Sequence, residues 1–121
     1  MCKKIVVAGC RYYDNYTEAK FFIEKCLLEI GNENDFIFVS GGCKGADQLA
    51  ERFAKEKDFT IERFLPKWKE YGRAAGPKRN MEMAEFGDLI ICFWDNKSKG
   101  TKSMIECAKK LNKPIKIMFI E

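Results

Sequence analysis

The sequence predicts an α/β fold: a three-layer, Rossmann-like sandwich with a five-stranded, mainly parallel sheet and helices on both faces. Three observations carry this. Strand and helix patterns alternate along the 121 residues, the order that parallel sheets with crossover helices require. The runs "IVVA", "FIFV" and "LIICF" are apolar at every position, as strands covered on both faces must be. Three of the strand patterns run directly into turn sequences that carry glycine.

The elements follow in order. "KKIVVAG" (3–9) reads as the first strand rather than a signal peptide, because its apolar run is short and feeds a glycine turn. "TEAKFFIEKCLLEIG" (17–31) is an amphipathic helix. It places Ala19, Phe22, Ile23, Cys26, Leu27 and Ile30 on one face and ends at Gly31. "DFIFVSGG" (35–42) is a strand, and "GADQLAERFAKEK" (45–57) a helix with Ala46, Leu49, Ala50 and Phe53 turned inward. "FTIERFLP" (59–66) is a strand closed by Pro66. A loop follows, then a helix from about Pro77 to Phe86, in which Met81, Met83 and Phe86 belong to the core. "DLIICFWD" (88–95) is a strand, "TKSMIECAKKLN" (101–112) a helix and "PIKIMFI" (114–120) the last strand. Right-handed crossovers then give the layered sandwich.

Length and composition set bounds. A chain of this length, 46% apolar, predicts one domain over residues 1–121 with a real core. No apolar run reaches the roughly 18 residues of a membrane span, so a cytoplasmic protein is expected. Six cysteines are scattered over strands, helices and turns with no C-x-x-C pair, and the chain has no histidine. Free thiols are therefore expected, with no metal site and no cofactor. Lys+Arg 22 against Asp+Glu 18 leaves a net charge of +4, which suits an anionic small ligand and only weakly suits nucleic acid. The signs alternate along the helices, as on solvated faces.

In parallel α/β sheets, ligands bind beyond the carboxyl ends of the strands, where strand order reverses. Three loops fall at that edge here. The first, "AGCRYYD", offers Gly9, Cys10, Arg11 and Asp14. The second, "VSGGCKGAD", offers Ser40, Gly41, Gly42, Gly45 and Asp47. Its glycines would let backbone N–H groups converge on an anion beside a helix N-terminus. Asp47 would cap free amides or bind ribose hydroxyls. The third, "WDNKSKGT", offers Trp94, Asp95, Ser98, Gly100 and Thr101. One such loop fits a tight turn equally well; three at one edge point to a phosphate-containing ligand. It is neither a G-x-x-x-x-G-K-[ST] nor a G-x-G-x-x-G pattern. A fourth segment, "PKWKEYGRAAGPKRNMEM", interleaves Trp68 and Tyr71 with Arg73, Arg79 and lysines, ahead of Asn80. Aromatic and basic groups together suit stacking on a base and pairing with phosphate.

The pieces "VAGCRYYDNY", "VSGGCKGAD", "WKEYGRAAGPKRNMEM" and "WDNKSKGT", in that order, resemble the SLOG superfamily, in particular its YspA-like branch. The resemblance implies a Rossmann-like domain that binds nucleotides or nucleotide-derived signals, cyclic or ADP-ribose-type molecules among them, as a sensor or a sequestering protein. It also implies a homodimer or higher homo-oligomer, and it marks Gly9, Arg11, Ser40, Gly41, Gly42, Gly45, Asp47, Arg79, Asn80, Gly100 and Thr101 as ligand-binding candidates. Relatives in the superfamily include Lonely-guy phosphoribohydrolases and the DNA-processing protein DprA, so N-glycoside hydrolysis and single-stranded nucleic-acid binding are the alternatives. The hydrolase branch carries a glutamate three residues after its glycine-threonine pair; here that position is Met104. Glu106 lies about 200° around the helix from it. Binding without turnover is expected, and should the chain be an enzyme, Asp14, Asp47 and Asp95 are the acids left for catalysis.

Overall fold

The computed structural model describes residues 3–31 and 35–120. Cys2, one of the six cysteines expected to be free thiols, lies outside them. The elements are β1 (Lys3–Gly9), α1 (Tyr16–Ile30), β2 (Phe36–Ser40), α2 (Ala46–Glu56), β3 (Thr60–Arg63), α3 (Trp68–Tyr71), a 3₁₀ turn (Gly72–Ala74), α4 (Ala75–Phe86), β4 (Leu89–Trp94), α5 (Lys99–Lys110) and β5 (Ile115–Phe119). The sheet order is β3-β2-β1-β4-β5, and every neighbouring pair is parallel. Strand order reverses between β1 and β4, which pair from Ile5 opposite Leu89 to Gly9 opposite Phe93.

Alternation along each strand divides the core. Ile5, Val7, Phe38, Ile91 and Phe93 face α1 and α2, where they meet Ala19, Ile23, Ala50 and Phe53. Val6, Val39, Ile90 and Cys92 face α4 and α5, where they meet Met83, Ala84, Met104, Ile105 and Ala108. The central strands β1 and β4 are buried from both sides, which explains why they read as unbroken apolar runs. No helix among the described residues is long and apolar enough to cross a membrane.

Several boundaries differ from the sequence expectation; α5, expected from Thr101, begins at Lys99, and β2 ends at Ser40 rather than Gly42. β3 stops at Arg63 rather than Pro66; it is a short, largely exposed edge strand, and Phe64 donates its N–H back to the Ser40 carbonyl as the chain leaves the sheet. The stretch expected to be loop up to Pro77 contains α3 and the 3₁₀ turn, and α4 begins at Ala75. Pro77 is the third residue of α4, where its missing N–H would have had no intrahelical partner and so breaks nothing. Met83 is fully buried in α4, with Met81 and Phe86 half-buried against the same core.

Candidate functional site

The loops after β1, β2 and β4 meet above the β1/β4 reversal and border a half-open cavity of about 330 Å³. Its floor is apolar, formed by Ala8, Met83 and Met104. Its walls come from Gly9, Cys10 and Arg11 after β1, from Gly41, Cys43 and Asp47 after β2, from Arg79 and Asn80 of α4, and from Ser98, Lys99, Gly100 and Thr101 at the start of α5. A second hollow of about 450 Å³ adjoins it across Arg11, Gly41, Lys99 and Gly100; Gly42, Leu65, Pro66, Trp68 and Pro77 form its outer part.

The glycines of "VSGGCKGAD" do mostly structural work. Gly45 has φ +79°, and a Cβ there would collide with the Cys10 carbonyl. That closeness lets Ala46 donate its N–H to Cys10, locking α2 against the β1 turn. A Cβ on Gly41 would run into the Arg79 guanidinium. Gly42, at φ +73°, faces Leu65 in the second hollow. Gly9 is required for packing as well, since a Cβ there would sit 2.6 Å from Ala46 Cβ. Gly100 is the exception: a side chain there would meet nothing within 4 Å, so it would project into open space at the cavity rim.

Arg79 clasps this corner. Its Nη1 donates to the carbonyls of Gly41 (3.0 Å) and Phe64 (3.2 Å), and its Nε to Asn80 Oδ1 (3.1 Å). Asn80 Nδ2 donates in turn to the Gly100 carbonyl and to Ser103 Oγ, both at 3.2 Å, joining α4 to α5. Both residues line the cavity, but much of their hydrogen-bonding capacity holds its walls. Asp47 is buried, and Cys43 donates its N–H to Asp47 Oδ2 at 3.3 Å. Burial pushes its carboxyl up to about 6, opposed by the Cys43 amide and the Arg79 charge.

At the start of α5 no side chain caps the helix. Lys102 donates the first intrahelical bond, to Ser98, so the amides of Lys99, Gly100 and Thr101 have no acceptor within the helix. They sit at the cavity wall with the positive end of the helix dipole. Arg11 and Lys99 are exposed at the same rim, and among the described residues neither belongs to an ion pair. Cations, free amides and a buried carboxylate over an apolar floor make a site for an anion attached to a hydroxylated, partly apolar body.

Several sequence candidates lie elsewhere. Ser40 is buried; its Oγ donates to Glu51 Oε2 (2.7 Å) and accepts from the Gly42 N–H (3.0 Å), so the hydroxyl is spent inside the fold. Asp95 accepts from Tyr12 Oη (2.7 Å) and from the N–H groups of Lys97 and Ser98. These bonds, Tyr12's foremost, hold its carboxyl well below the usual range. Its role is to latch the β1 and β4 loops together, beside the Ser98 Oγ bond to Cys10 Sγ (3.1 Å). Trp94 donates its indole N–H to the Ser98 carbonyl and packs on the α4/α5 core. Tyr71 lines a third hollow of about 230 Å³ beside β3. Asp14 and Arg73 are exposed and line none of these hollows. Sequence reasoning missed Tyr12, Cys43 and Lys99 as lining residues, although each adjoins or lies between chosen ones. Met104 sits on the cavity floor and is 1% exposed.

Three comparisons bear on this site. The family described as YspA, cpYpsA-related SLOG (YAcAr) matches residues 3–71, more than half of the chain. The Gene 61 protein of Mycobacterium phage D29 is 33% identical over an 85-residue alignment that covers 65% of this chain and 68% of that protein. DNA processing protein A (DprA) from Streptococcus pneumoniae superposes with a TM-score of 0.75 at 19% identity, over 99% of this chain and 51% of that one. DprA from Helicobacter pylori, a structure concerned with its single-stranded DNA binding mode, gives 0.71 at 20% identity over 98% and 66%. TM1055, a structural genomics target, gives 0.66 at 21% identity over 93% and 72%. The chain spans about half of the pneumococcal DprA chain and 66% of the Helicobacter one. At these identities the structural likeness establishes the fold.

Proposed function

The chain belongs to the YspA, cpYpsA-related SLOG family, and from that premise we propose that it binds a nucleotide or nucleotide-derived small molecule in the β1/β4 cavity and does not turn it over. The family and its structural neighbours support a role connected with nucleotides or nucleic acid. One observation carries the finer reading: an uncapped helix start, Arg11 and Lys99 border a half-open hollow whose floor is apolar. Its 330 Å³ falls at the lower end of the roughly 300–1,000 Å³ of small-molecule sites. Phosphate oxygens would accept from the α5 amides and the two cations. The Asp47 carboxylate would accept from sugar hydroxyls, and the methionines would lie against a ring.

Absence of turnover rests on Met104. Cleaving an N-glycosidic bond builds positive charge on the sugar, which a neighbouring carboxylate stabilises. A thioether is neutral and only a weak acceptor. Of the three acids kept for an enzymatic alternative, Asp14 lies outside the cavity and Asp95 is engaged as a latch, leaving Asp47. Incubation with AMP, other mononucleotides and NAD should release no base or ribose phosphate; repeated turnover abolished by Asp47→Asn would establish the hydrolase alternative. A sensing or sequestering role, a cytoplasmic location and a homodimer belong to the same proposal. The exposed Phe21 and Leu28 of α1 are an apolar surface available for pairing, checked by sedimentation.

Binding itself is tested by native mass spectrometry of protein purified from cells. A nucleotide-sized mass should accompany the parent and be missing from Gly100→Leu, whose side chain would fill the rim. Equal retention by both would remove the cavity from the account.

A further inference from the structure

We infer that the ligand has two ring systems joined through phosphate, and that Trp68 is the residue that selects it over a mononucleotide. The inference rests on the nucleotide reading above and names its substrate class.

Two hollows, of about 330 and 450 Å³, lie side by side and share one wall. That wall carries Arg11, Arg79 and Lys99, three cations outside the ion pairs of the described residues; Arg79 is tied to backbone carbonyls, which leaves Arg11 and Lys99 exposed for a ligand. Each hollow has apolar residues in its lining: half-buried Ala8 with the almost wholly buried Met83 and Met104 in the first, Leu65, Pro66 and Trp68 in the second. A mononucleotide placed with its phosphate at the shared wall fills one hollow and leaves the other wet. A molecule with a ring at each end and phosphate in the middle places its charge on the cations and both rings on apolar surface.

Trp68 is the unusual member. It is 55% exposed, although a large apolar ring in a short surface helix gains nothing from water. Its ring edge lies near Gly76 at the start of α4, where an added Cβ would be 3.5 Å from Cη2. The indole is therefore placed against α4 with surface left over for the hollow. Stacking of a base on such a ring is sequence-tolerant and large enough to set a preference.

The test is calorimetry of the full chain with AMP, GMP and their P1,P2-linked dinucleoside pyrophosphates, with oligothymidylate as the polymeric control. The parent should bind one of the dinucleotides at least about ten-fold more tightly than its mononucleotide. Trp68→Ala should erase that advantage while leaving mononucleotide affinity and melting temperature near the parent's, and Trp68→Phe should retain most of it. Equal affinity for the one-ring and two-ring probes, or an advantage that survives Trp68→Ala, overturns the inference and leaves the nucleotide cavity standing. Tighter binding of oligothymidylate overturns it in favour of a nucleic-acid strand. Failure of every probe to bind takes down the nucleotide reading and this inference together.

Discussion

Gly100 and Gly45 look alike in the sequence and differ in the fold. A side chain at Gly45 meets the Cys10 carbonyl at positive φ, whereas one at Gly100 meets open space. Gly45→Ala should therefore lower the melting temperature by several degrees, the strain being both steric and conformational. Gly100→Leu should melt at or slightly above the parent, because leucine is the better helix former, yet lose nucleotide binding in the same calorimetric titration. Arg11 makes the complementary case. Arg11→Ala should weaken binding roughly ten-fold, with the parent's affinity falling as salt rises, since charge-assisted hydrogen bonds are the stronger kind. Asp47 gives a pH signature. Its carboxyl is held near 6 against an ordinary value of 3.8, so the native state binds its proton more tightly than the unfolded chain. Stability then declines as pH rises between those values, by about 3 kcal/mol in total. Asp47→Asn keeps an acceptor for Cys43 and has no charge to bury. Its melting temperature should match the parent's near pH 4 and exceed it by several degrees at pH 7; an unchanged gap across that range would remove burial as the cause.

At the scale of elements, the strands and the long helices were legible because periodicity and burial coincide in them. "IVVA" and "LIICF" became the doubly covered β1 and β4, and the spacing of Ala19, Ile23, Cys26 and Leu27 became the buried face of α1. α3 was not legible: four residues with no buried side chain leave no apolar stripe to read. The early start of α4 was hidden by Pro77, which looks like a boundary and is tolerated inside a first turn. The hydroxyl of Ser40 misled for a related reason, since its partner Glu51 is contributed by the next helix. Glu51 also receives Arg63 at 2.6 Å, so one carboxylate ties α2 to β2 and to the edge strand β3. Glu51→Ala should destabilise the chain by about 1–3 kcal/mol in chemical denaturation, chiefly through the orphaned Ser40 hydroxyl. Arg63 is half exposed and contributes little to that figure. An unchanged denaturation midpoint would mean that β3 is held by its backbone pairing alone.

For the whole molecule, topology did most of the positioning. Alternating elements with right-handed crossovers leave few orders for five parallel strands, and the observed order puts the reversal between β1 and β4. That alone brings the β1, β2 and β4 loops to one edge, which is why Gly9, Arg11, Gly41, Asp47, Gly100 and Thr101 were readable as neighbours and do share a cavity. What a sequence does not display is which side of a loop residue faces the cavity. Asp95 and Trp94 lie in the right loop and turn to latch and core, while Lys99 and Tyr12 beside the chosen residues line the wall. The central claim is that a nucleotide-type ligand docks at that reversal. Amide chemical-shift mapping by NMR, with AMP, GMP and the two dinucleoside pyrophosphates as probes, tests it most directly. The account predicts saturable shifts concentrated at Gly9–Tyr12, Gly41–Cys43 and Ser98–Thr101; no shifts at millimolar probe, or shifts centred away from these three loops, would contradict it.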